Sequence, residues 1–156
     1  REARARGLRV IMNAAPADEF DAALLDHLDV LVVNEHEAVA VAQALGWRED
    51  DPIAIAGRLD RERRLATVAT LGGEGVAASV SGADFRIAAP RVQVVDTTAA
   101  GDSFCGALAA ALDRGAPFAE ALRLGVAAGS LACTIAGAQP SVPHRADIER
   151  LAAQIA

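Results

Sequence analysis

Two segments, residues 29–33 and 65–71, constrain the fold more than any other feature of the sequence, and they are apolar except for Asp29, Thr67 and Thr70. The first reads Asp-Val-Leu-Val-Val, a continuous β-branched run that is typical of a strand covered on both faces in a parallel sheet. Helices are predicted between the two segments, at residues 35–45 and 52–64. This alternation of strands and helices predicts an α/β layered fold with a mostly parallel central sheet and flanking helices.

The remaining elements place strands mainly in the first half of the chain and helices in the second. Asp18 is predicted to cap a helix that runs to about Leu28. The other predicted strands are residues 8–12, 76–80, 84–87 and 91–95, and the other predicted helices are residues 101–114, 118–135 and 144–155. Because no linker or change of composition interrupts the pattern, residues 1–156 are predicted to belong to a single domain without an internal boundary.

Composition excludes several classes of function. All 15 basic residues are Arg, so a Walker P-loop, a Schiff-base enzyme and a Ser–Lys mechanism lack the lysine that each requires. The net charge of −6 argues against nucleic acid as a partner, because a nucleic-acid surface usually needs a basic face. No apolar stretch is long enough to suggest a membrane span, and no signal peptide is recognised. Cys105 and Cys133 lie in apolar runs and are predicted to be buried free thiols, which suits a reducing cytoplasm.

The segment most informative about chemistry is residues 96–106, Asp-Thr-Thr-Ala-Ala-Gly-Asp-Ser-Phe-Cys-Gly. Ala99, Ala100 and Gly101 have almost no side chain, so a ligand could approach their amides at the start of the predicted helix, where anions bind well. Asp102, in the first turn, could accept a proton from a hydroxyl that attacks a phosphoryl group. The same residues would also suit an ordinary helix start, with the acid compensating the helix dipole.

The whole string resembles the second signature of the ribokinase-like sugar kinases, the PfkB carbohydrate kinase family. That signature is Asp-Thr-x-(Gly/Ala)-Ala-Gly-Asp-x-Phe-x-x-Gly, and the chain matches it at Asp96, Thr97, Ala99, Ala100, Gly101, Asp102 and Phe104. Gly106 follows Phe104 by two positions, which is the spacing of one branch of the family. The resemblance implies that Ala99, Ala100 and Gly101 form an anion hole and that Asp102 is the catalytic base, in contact with the sugar hydroxyl.

Three other segments are similar to segments of the same family. Residues 13–17, Asn-Ala-Ala-Pro-Ala, resemble a family loop, and Asn34 with Glu37 matches an Asn-x-x-Glu motif. The resemblance implies that Asn34 contacts nucleotide phosphate and that Glu37 holds Mg²⁺ through water. The turn of residues 70–75 resembles the nucleotide-binding turn, which assigns ATP contacts to Thr70, Leu71, Gly72, Gly73, Glu74 and Gly75. Without the resemblance, the first motif would be interpreted as a helix cap and the turn as a simple hairpin.

A further loop, residues 137–143, resembles the C-terminal loop of family members that bind a monovalent cation, usually K⁺. The ligands that this implies are the Asp96 carboxylate, the Ser141 hydroxyl and the carbonyls of Thr98, Ala132, Ile135 and Gly137. Oxygen donors suit such an ion. Val126 lies where family members commonly present His or Asn to adenine, so it could pack on a base but not hydrogen-bond to it.

The resemblance therefore implies a ribokinase-like fold and an ATP-dependent kinase that phosphorylates the primary hydroxyl of a small-molecule sugar. D-ribose, converted to ribose 5-phosphate, is the expected substrate, with Mg²⁺ and K⁺ as cofactors and a homodimer as the full-length assembly. Family members carry an additional front half, so the N-terminal half of the fold is expected to be absent from residues 1–156. A fructokinase, a nucleoside kinase and a non-catalytic truncated nucleotide-binding remnant remain as alternatives.

Overall fold

The computed structural model describes residues 2–17 and 20–156, and these form two compact units. The first unit takes in the described residues of Arg1–Leu71 together with Ala77–Arg86. The second comprises Gly72–Val76 and Ile87–Ala156. The expectation of one domain without an internal boundary stays a prediction.

The first unit is built around a five-stranded sheet in the order β1-β2-β3-β4-β5. Its elements are α1 (Glu2–Ala5), β1 (Ile11–Asn13), a 3₁₀ helix (Ala22–His27), β2 (Val30–Asn34), α2 (Glu35–Ala44), α3 (Pro52–Arg63), β3 (Ala66–Thr70), β4 (Val76–Val80) and β5 (Ala83–Ile87).

The first three strands are parallel, with Met12 opposite Leu31 and Leu31 opposite Thr67. Five residues separate β3 from β4 and two separate β4 from β5, and such short connections can only join antiparallel strands. Residues 30–33 and 66–69 are buried, as expected for strands covered on both faces. The predicted α/β fold with flanking helices is confirmed, with two antiparallel strands added to the parallel three.

Helices α2 and α3 pack against β2 and β3 and supply one layer of the core. Asp51 starts α3 by accepting a hydrogen bond from the amide of Ile53 at 3.0 Å, and Pro52 occupies the first turn. The buried apolar cluster of this unit consists of Ala14, Ala17, Leu25, Leu28, Leu31, Val33, Ala38, Val41, Ala42, Ile55, Leu59, Leu65, Ala69, Leu71 and Ala77.

The second unit is mainly helical. Its elements are a 3₁₀ turn (Gly72–Glu74), α4 (Ala100–Asp113), α5 (Phe118–Ala132), α6 (Ala138–Ser141) and α7 (Arg145–Ala152). Helix α5 packs against α4 and α7. A Cβ atom on Gly125 would lie 2.7 Å from the Phe104 ring, and one on Gly129 would lie 3.1 Å from the Ala100 carbonyl oxygen. The two glycines therefore allow α4 and α5 to approach closely.

Some predicted elements differ from the structure. The cap assigned to Asp18 lies outside the described residues; the 3₁₀ helix begins later, because Asp21 accepts the Ala23 amide at 2.9 Å. The strand predicted at residues 91–95 is wrong, since that stretch has no strand and the Val95 amide bonds to the Cys133 carbonyl instead. Strand β1 lies later than the predicted residues 8–12, and α6 occupies part of the predicted loop at residues 137–143.

The described residues contain no helix that combines the length and the apolarity needed to cross a membrane. Cys105 and Cys133 are both free thiols, as predicted, but each is only partly buried and not buried as expected.

Candidate functional site

The segment that precedes α4 is attached to the end of α5 through the backbone. The amides of Val95 and Asp96 both donate to the Cys133 carbonyl, at 2.8 and 3.2 Å. Burial raises the pKa of the Cys133 thiol, and the nearby charge of Asp96 raises it further. These contacts fix the position from which the Asp96–Asp102 segment starts.

The Asp96 carboxylate organises this segment. One oxygen, Oδ1, accepts the Thr98 amide at 2.9 Å and the Thr98 hydroxyl at 2.7 Å. The other, Oδ2, accepts the Gly137 amide at 2.8 Å. The Gly137 amide, followed by the Thr98 hydroxyl and amide, lowers the pKa of Asp96 to about 2. Asp96 is therefore ionised at neutral pH and connects the start of α4 with the loop after α5.

Helix α4 begins without a side-chain cap. Its N-cap residue, Ala99, has φ +60° and ψ 11°, a left-handed conformation that costs energy for any residue with a Cβ atom. The Ala100 amide donates to the Thr97 carbonyl at 3.2 Å. Across the part of the chain that is described, the amides of Ala99 and Gly101 donate no hydrogen bond. Two of the three predicted anion-hole amides thus have no internal acceptor, while the third has one.

The tip of α4 is open on the side of Gly101. A Cβ atom built on Gly101 would meet no heavy atom within 4 Å. Asp102 is exposed in the first turn of the helix and lies at the edge of a cavity of about 370 Å³. Small and apolar residues of α4 and α5 line most of that cavity, and Arg114 and the ion pair of Arg145 with Glu149 on α7 also line it.

Some of the predicted ligands of a monovalent cation lie next to Asp96 in the structure. Asp96, Thr98 and Gly137 are joined by the hydrogen bonds above. The Ser141 hydroxyl is buried and donates to the Ala138 carbonyl at 2.8 Å. Ala132 ends α5, and its carbonyl accepts the Ile135 amide at 3.4 Å, while the Ile135 side chain is exposed. Among residues 2–17 and 20–156, no cluster of His, Cys, Asp and Glu could hold a metal through those side chains.

In the first unit, Asn34 and Glu37 form a capping box at the start of α2. The Asn34 Oδ1 atom accepts the Glu37 amide at 2.9 Å, and the Glu37 Oε2 atom accepts the Asn34 amide at 2.8 Å. Each side chain therefore satisfies an amide that has no helical partner. The structure therefore contains the helix cap that this motif suggests, and the roles toward phosphate and Mg²⁺ stay predictions.

The predicted nucleotide-binding turn is divided between the two units, with residues 70–71 in the first and residues 72–75 in the second. In the first unit, the Thr70 hydroxyl at the end of β3 donates to the Val33 carbonyl at 3.3 Å, and Leu71 is buried. In the second, Gly72, Gly73 and Glu74 are exposed. Gly75 has φ +99°, and a Cβ atom there would lie 2.0 Å from the Ile87 carbonyl oxygen. Only glycine fits at this position.

Val126 lies on α5 and is 4% exposed, so its side chain is buried within the protein in this structure. The sequence interpretation did not single out Ser103, the residue after Asp102. Ser103 is buried, and its hydroxyl has no hydrogen-bond partner among the described residues. The signal that could have identified it is the run of small residues on one side of α4, at positions 103, 106, 107 and 110.

The chain is similar to solved and curated kinases along nearly all of its length. It is 36% identical over 144 residues to the ribokinase of Haemophilus influenzae, covering 92% of this chain and 47% of that protein. The crystal structure of Thermotoga maritima ribokinase matches with a TM-score of 0.87 at 32% identity, over 96% of this chain and 51% of that one. The Arabidopsis thaliana ribokinase complexed with ribose and ATP matches with a TM-score of 0.82 at 31% identity, over 94% and 48%.

The chain thus spans about half the length of the relatives that it matches. The model of the pfkB family carbohydrate kinases matches residues 2–145. That range includes the Asp96–Asp102 segment, the capping box of α2 and the glycine-rich turn. This protein chain therefore belongs to the pfkB family of carbohydrate kinases.

Proposed function

We propose that the chain supplies the nucleotide-binding and catalytic residues of an ATP-dependent sugar kinase, most similar to ribokinase. The reaction is transfer of the γ-phosphoryl group of ATP to the primary hydroxyl of D-ribose, giving ribose 5-phosphate and ADP. Family membership supports the reaction class. The relatives named ribokinase, and the complex of the Arabidopsis protein with ribose and ATP, support the choice of substrates.

The observation that carries the proposal is the open start of α4 with Asp102 in its first turn. The unpaired amides of Ala99 and Gly101 and the positive end of the helix dipole would stabilise negative charge on the transferred group. As the sugar oxygen bonds to phosphorus and the bond to the leaving ADP oxygen breaks, the hydroxyl proton passes to the Asp102 carboxylate. The Ala100 amide would join them after giving up the Thr97 carbonyl.

The remaining family motifs are assigned to the nucleotide. Asn34 would contact its phosphates, and residues 70–75 would lie along it, with Val126 behind the base as a packing residue. Glu37 would hold Mg²⁺ through water, and the ion would supply positive charge to the phosphates. The exposed Gly72 and Gly73, which have open space around them, leave their backbone accessible for such contacts.

A monovalent cation such as K⁺ fits the donors around Asp96. The site would combine one ionised carboxylate with the buried Ser141 hydroxyl and the carbonyls of Thr98, Ala132, Ile135 and Gly137. All of these are oxygen donors, which K⁺ accepts. Because Asp96 also holds the segment that leads into α4, an ion there would supply positive charge next to the anion hole.

The proposal also covers the assembly, the partners and the cellular compartment of the protein. The family resemblance suggests a homodimer with one domain per subunit, acting on small molecules and not on nucleic acid. Two free thiols are compatible with a reducing compartment such as the cytoplasm.

The test is a chimera in which this chain replaces the matching part of Haemophilus influenzae ribokinase. Asp102→Asn should lower kcat with D-ribose by roughly 10²–10⁴-fold, the range of a general base, and leave KM for ATP nearly unchanged. The matched control is Asp113→Asn, which changes an exposed carboxylate in the last turn of the same helix. Near-normal turnover of Asp102→Asn would remove Asp102 from its role.

The same chimera distinguishes the alternatives. Faster turnover with fructose or with a nucleoside than with D-ribose would reassign the substrate within the family. An inactive chimera, together with no ATP or ADP binding by the 156-residue chain in a calorimetric titration with and without K⁺, would identify a non-catalytic remnant.

A further inference from the structure

A second cavity, of about 520 Å³, lies in the helical unit at the end of α4 that is farther from Asp102. Its walls come from the α4–α5 connection, from α5 and from α7, and they include Arg114, Arg123, Leu124, Arg145 and Ala152. Four residues line both this cavity and the smaller one, namely Arg114, Leu124, Arg145 and Glu149. Arg114 ends α4, and the rise of the helix places it roughly 18 Å along the axis from Asp102. The second cavity is therefore separate from the candidate site at the helix start.

Arg123 lacks a partner in this cavity although its side chain is half-buried. It belongs to α5, where the neighbouring residues 121, 122 and 124–128 are buried. Among the described residues, the Arg123 guanidinium makes no ion pair and donates no hydrogen bond. A charged group that loses water without gaining a partner is destabilising. An anion bound in the cavity would reduce that cost.

Arg114 brings a second guanidinium without a partner to the same cavity. It is the C-cap residue of α4, where a positive side chain interacts favourably with the helix dipole. The dipole accounts for the charge at this position, but the guanidinium has no hydrogen-bond acceptor in the described part of the chain. Arg145 differs, because it pairs with Glu149 at 2.6 Å. Two arginines from two helices therefore have donors available in one cavity.

Two carboxylates in the wall restrict which ligands the cavity favours. Glu149 is paired with Arg145, and Glu120 is exposed in the first turn of α5, where the helix dipole stabilises a negative charge. The three arginines and two glutamates of the wall give an excess of one positive charge, in a chain whose net charge is −6. The local charge therefore favours an anion.

We propose that this cavity is a second ligand site, which binds a phosphate group through the guanidinium groups of Arg114 and Arg123. A phosphate dianion neutralises both charges, and its oxygens accept hydrogen bonds from two planar sets of donors. A carboxylate has one charge and two oxygens, so it would satisfy one arginine and leave the other. The cavity volume lies within the range of small-molecule sites, so a small phosphate ester fits as well as inorganic phosphate, with Leu124 and Ala152 beside its body. The proposal concerns binding and does not depend on the proposed kinase reaction.

The experiment titrates the isotopically labelled 156-residue chain with inorganic phosphate and, separately, with ribose 5-phosphate at low ionic strength. Nuclear magnetic resonance follows the Nε–H signals of the arginines, and we expect those of Arg114 and Arg123 to shift with one common dissociation constant. Arg114→Gln and Arg123→Gln should each weaken binding about tenfold, because each removes a charged hydrogen-bond donor. The matched control, Arg150→Gln, changes an exposed arginine of α7 that pairs with Asp147 and does not line the cavity, and it should leave the affinity unchanged.

Two further variants sharpen the assignment. Arg123→Lys keeps the charge and loses the planar donors, so its affinity should lie between those of the parent and Arg123→Gln. Glu120→Gln removes a negative charge from the wall and should tighten binding by roughly two- to fivefold, the effect of one exposed charge. Tighter binding of ribose 5-phosphate than of inorganic phosphate would identify an ester as the ligand, and equal affinities would identify the free ion; both results support the site.

Three results would overturn the proposal. The first is the absence of saturable binding of both probes at millimolar concentration by the folded chain. The second is equal weakening by Arg123→Gln and Arg150→Gln, which would indicate attraction to positive charge in general. The third is binding that shifts the amide signals of Ala99 and Gly101 and leaves the arginine signals unchanged, since phosphate would then occupy the start of α4.

Discussion

Polar groups are treated differently in the two units. In the first unit, the buried carboxylate of Asp60 on α3 accepts the Ser81 and Gly82 amides at 2.8 and 2.7 Å and the Ser79 hydroxyl at 3.3 Å. In the second, the amides of Ala99 and Gly101 and the hydroxyl of Ser103 find no partner within the described residues. The Asp60 carboxylate and its donors are all hydrogen-bonded within the first unit. The second unit, in contrast, has backbone amides that could still bind a ligand.

This difference assigns the satisfied polar groups to stability and the unsatisfied ones to ligand binding. Asp60 holds the β4–β5 turn, where Ser81 and Gly82 have φ +52° and +80°, as in the two-residue turns of hairpins. Such a group contributes to folding and offers nothing to a ligand. Unpaired donors at an exposed helix start carry a cost that a bound anion would remove. We therefore expect substitutions in the first set to change unfolding and those in the second to change binding.

The largest effect on stability is expected for Asp60→Ala. The change removes the acceptor of two backbone amides in a buried position, and we expect a loss of about 2–3 kcal/mol in the free energy of unfolding. Urea unfolding measures it. Asp60→Asn, which keeps one acceptor oxygen, should lose less. Asp84→Ala, at an exposed position of β5, should stay within about 0.5 kcal/mol of the parent. A loss for Asp60→Ala as small as that for Asp84→Ala would contradict the comparison.

A smaller effect on stability is expected for Asn34→Ala, and it decides between two roles. Loss of the cap should lower the free energy of unfolding by about 1 kcal/mol. Asp51→Ala is the control, because the Asp51 side chain caps α3 by accepting the Ile53 amide and lies outside the family motif. If Asn34 also contacts phosphate, Asn34→Ala weakens ATP binding in a calorimetric titration and Asp51→Ala does not. Equal ATP affinity of the two variants would leave Asn34 as a cap alone.

The sequence predicts the sheet unit better than the helical unit, and the reason is physical. Residues 30–33 are all apolar, and residues 66–69 are apolar except for Thr67, so a strand buried on both faces suits both segments; these strands and the helices beside them are confirmed. Residues 91–95 also have a composition typical of a short strand. In the structure, however, the Val95 amide donates a hydrogen bond to the Cys133 carbonyl, and no strand forms there. That partner is distant in sequence, so the local pattern could not reveal it.

The candidate site shows the same limit. The string of residues 96–102 identified the family, because a long position-specific motif carries more information than composition. The pairing of Asp96 with Gly137, and the unpaired Ser103 in a groove, depend on which helices meet. Contacts of that kind are fixed by the tertiary structure. The only indication of them in the sequence is the row of small residues along α4.

The smallest expected effect is the pH dependence that Asp96 gives to stability. Its pKa is lowered from the ordinary value of 3.8 to about 2, mainly by the Gly137 amide and then by Thr98. A carboxyl group with a lowered folded pKa stabilises the protein above its unfolded pKa, and that contribution is lost as the pH falls through the folded value. The difference in urea midpoint between the parent and Asp96→Asn should therefore be constant above about pH 4 and shrink toward pH 2. Thr98→Val, which removes the hydroxyl donor and leaves both amides, should give an intermediate curve, and a difference independent of pH would show that the hydrogen bonds to Asp96 do not favour its ionised form.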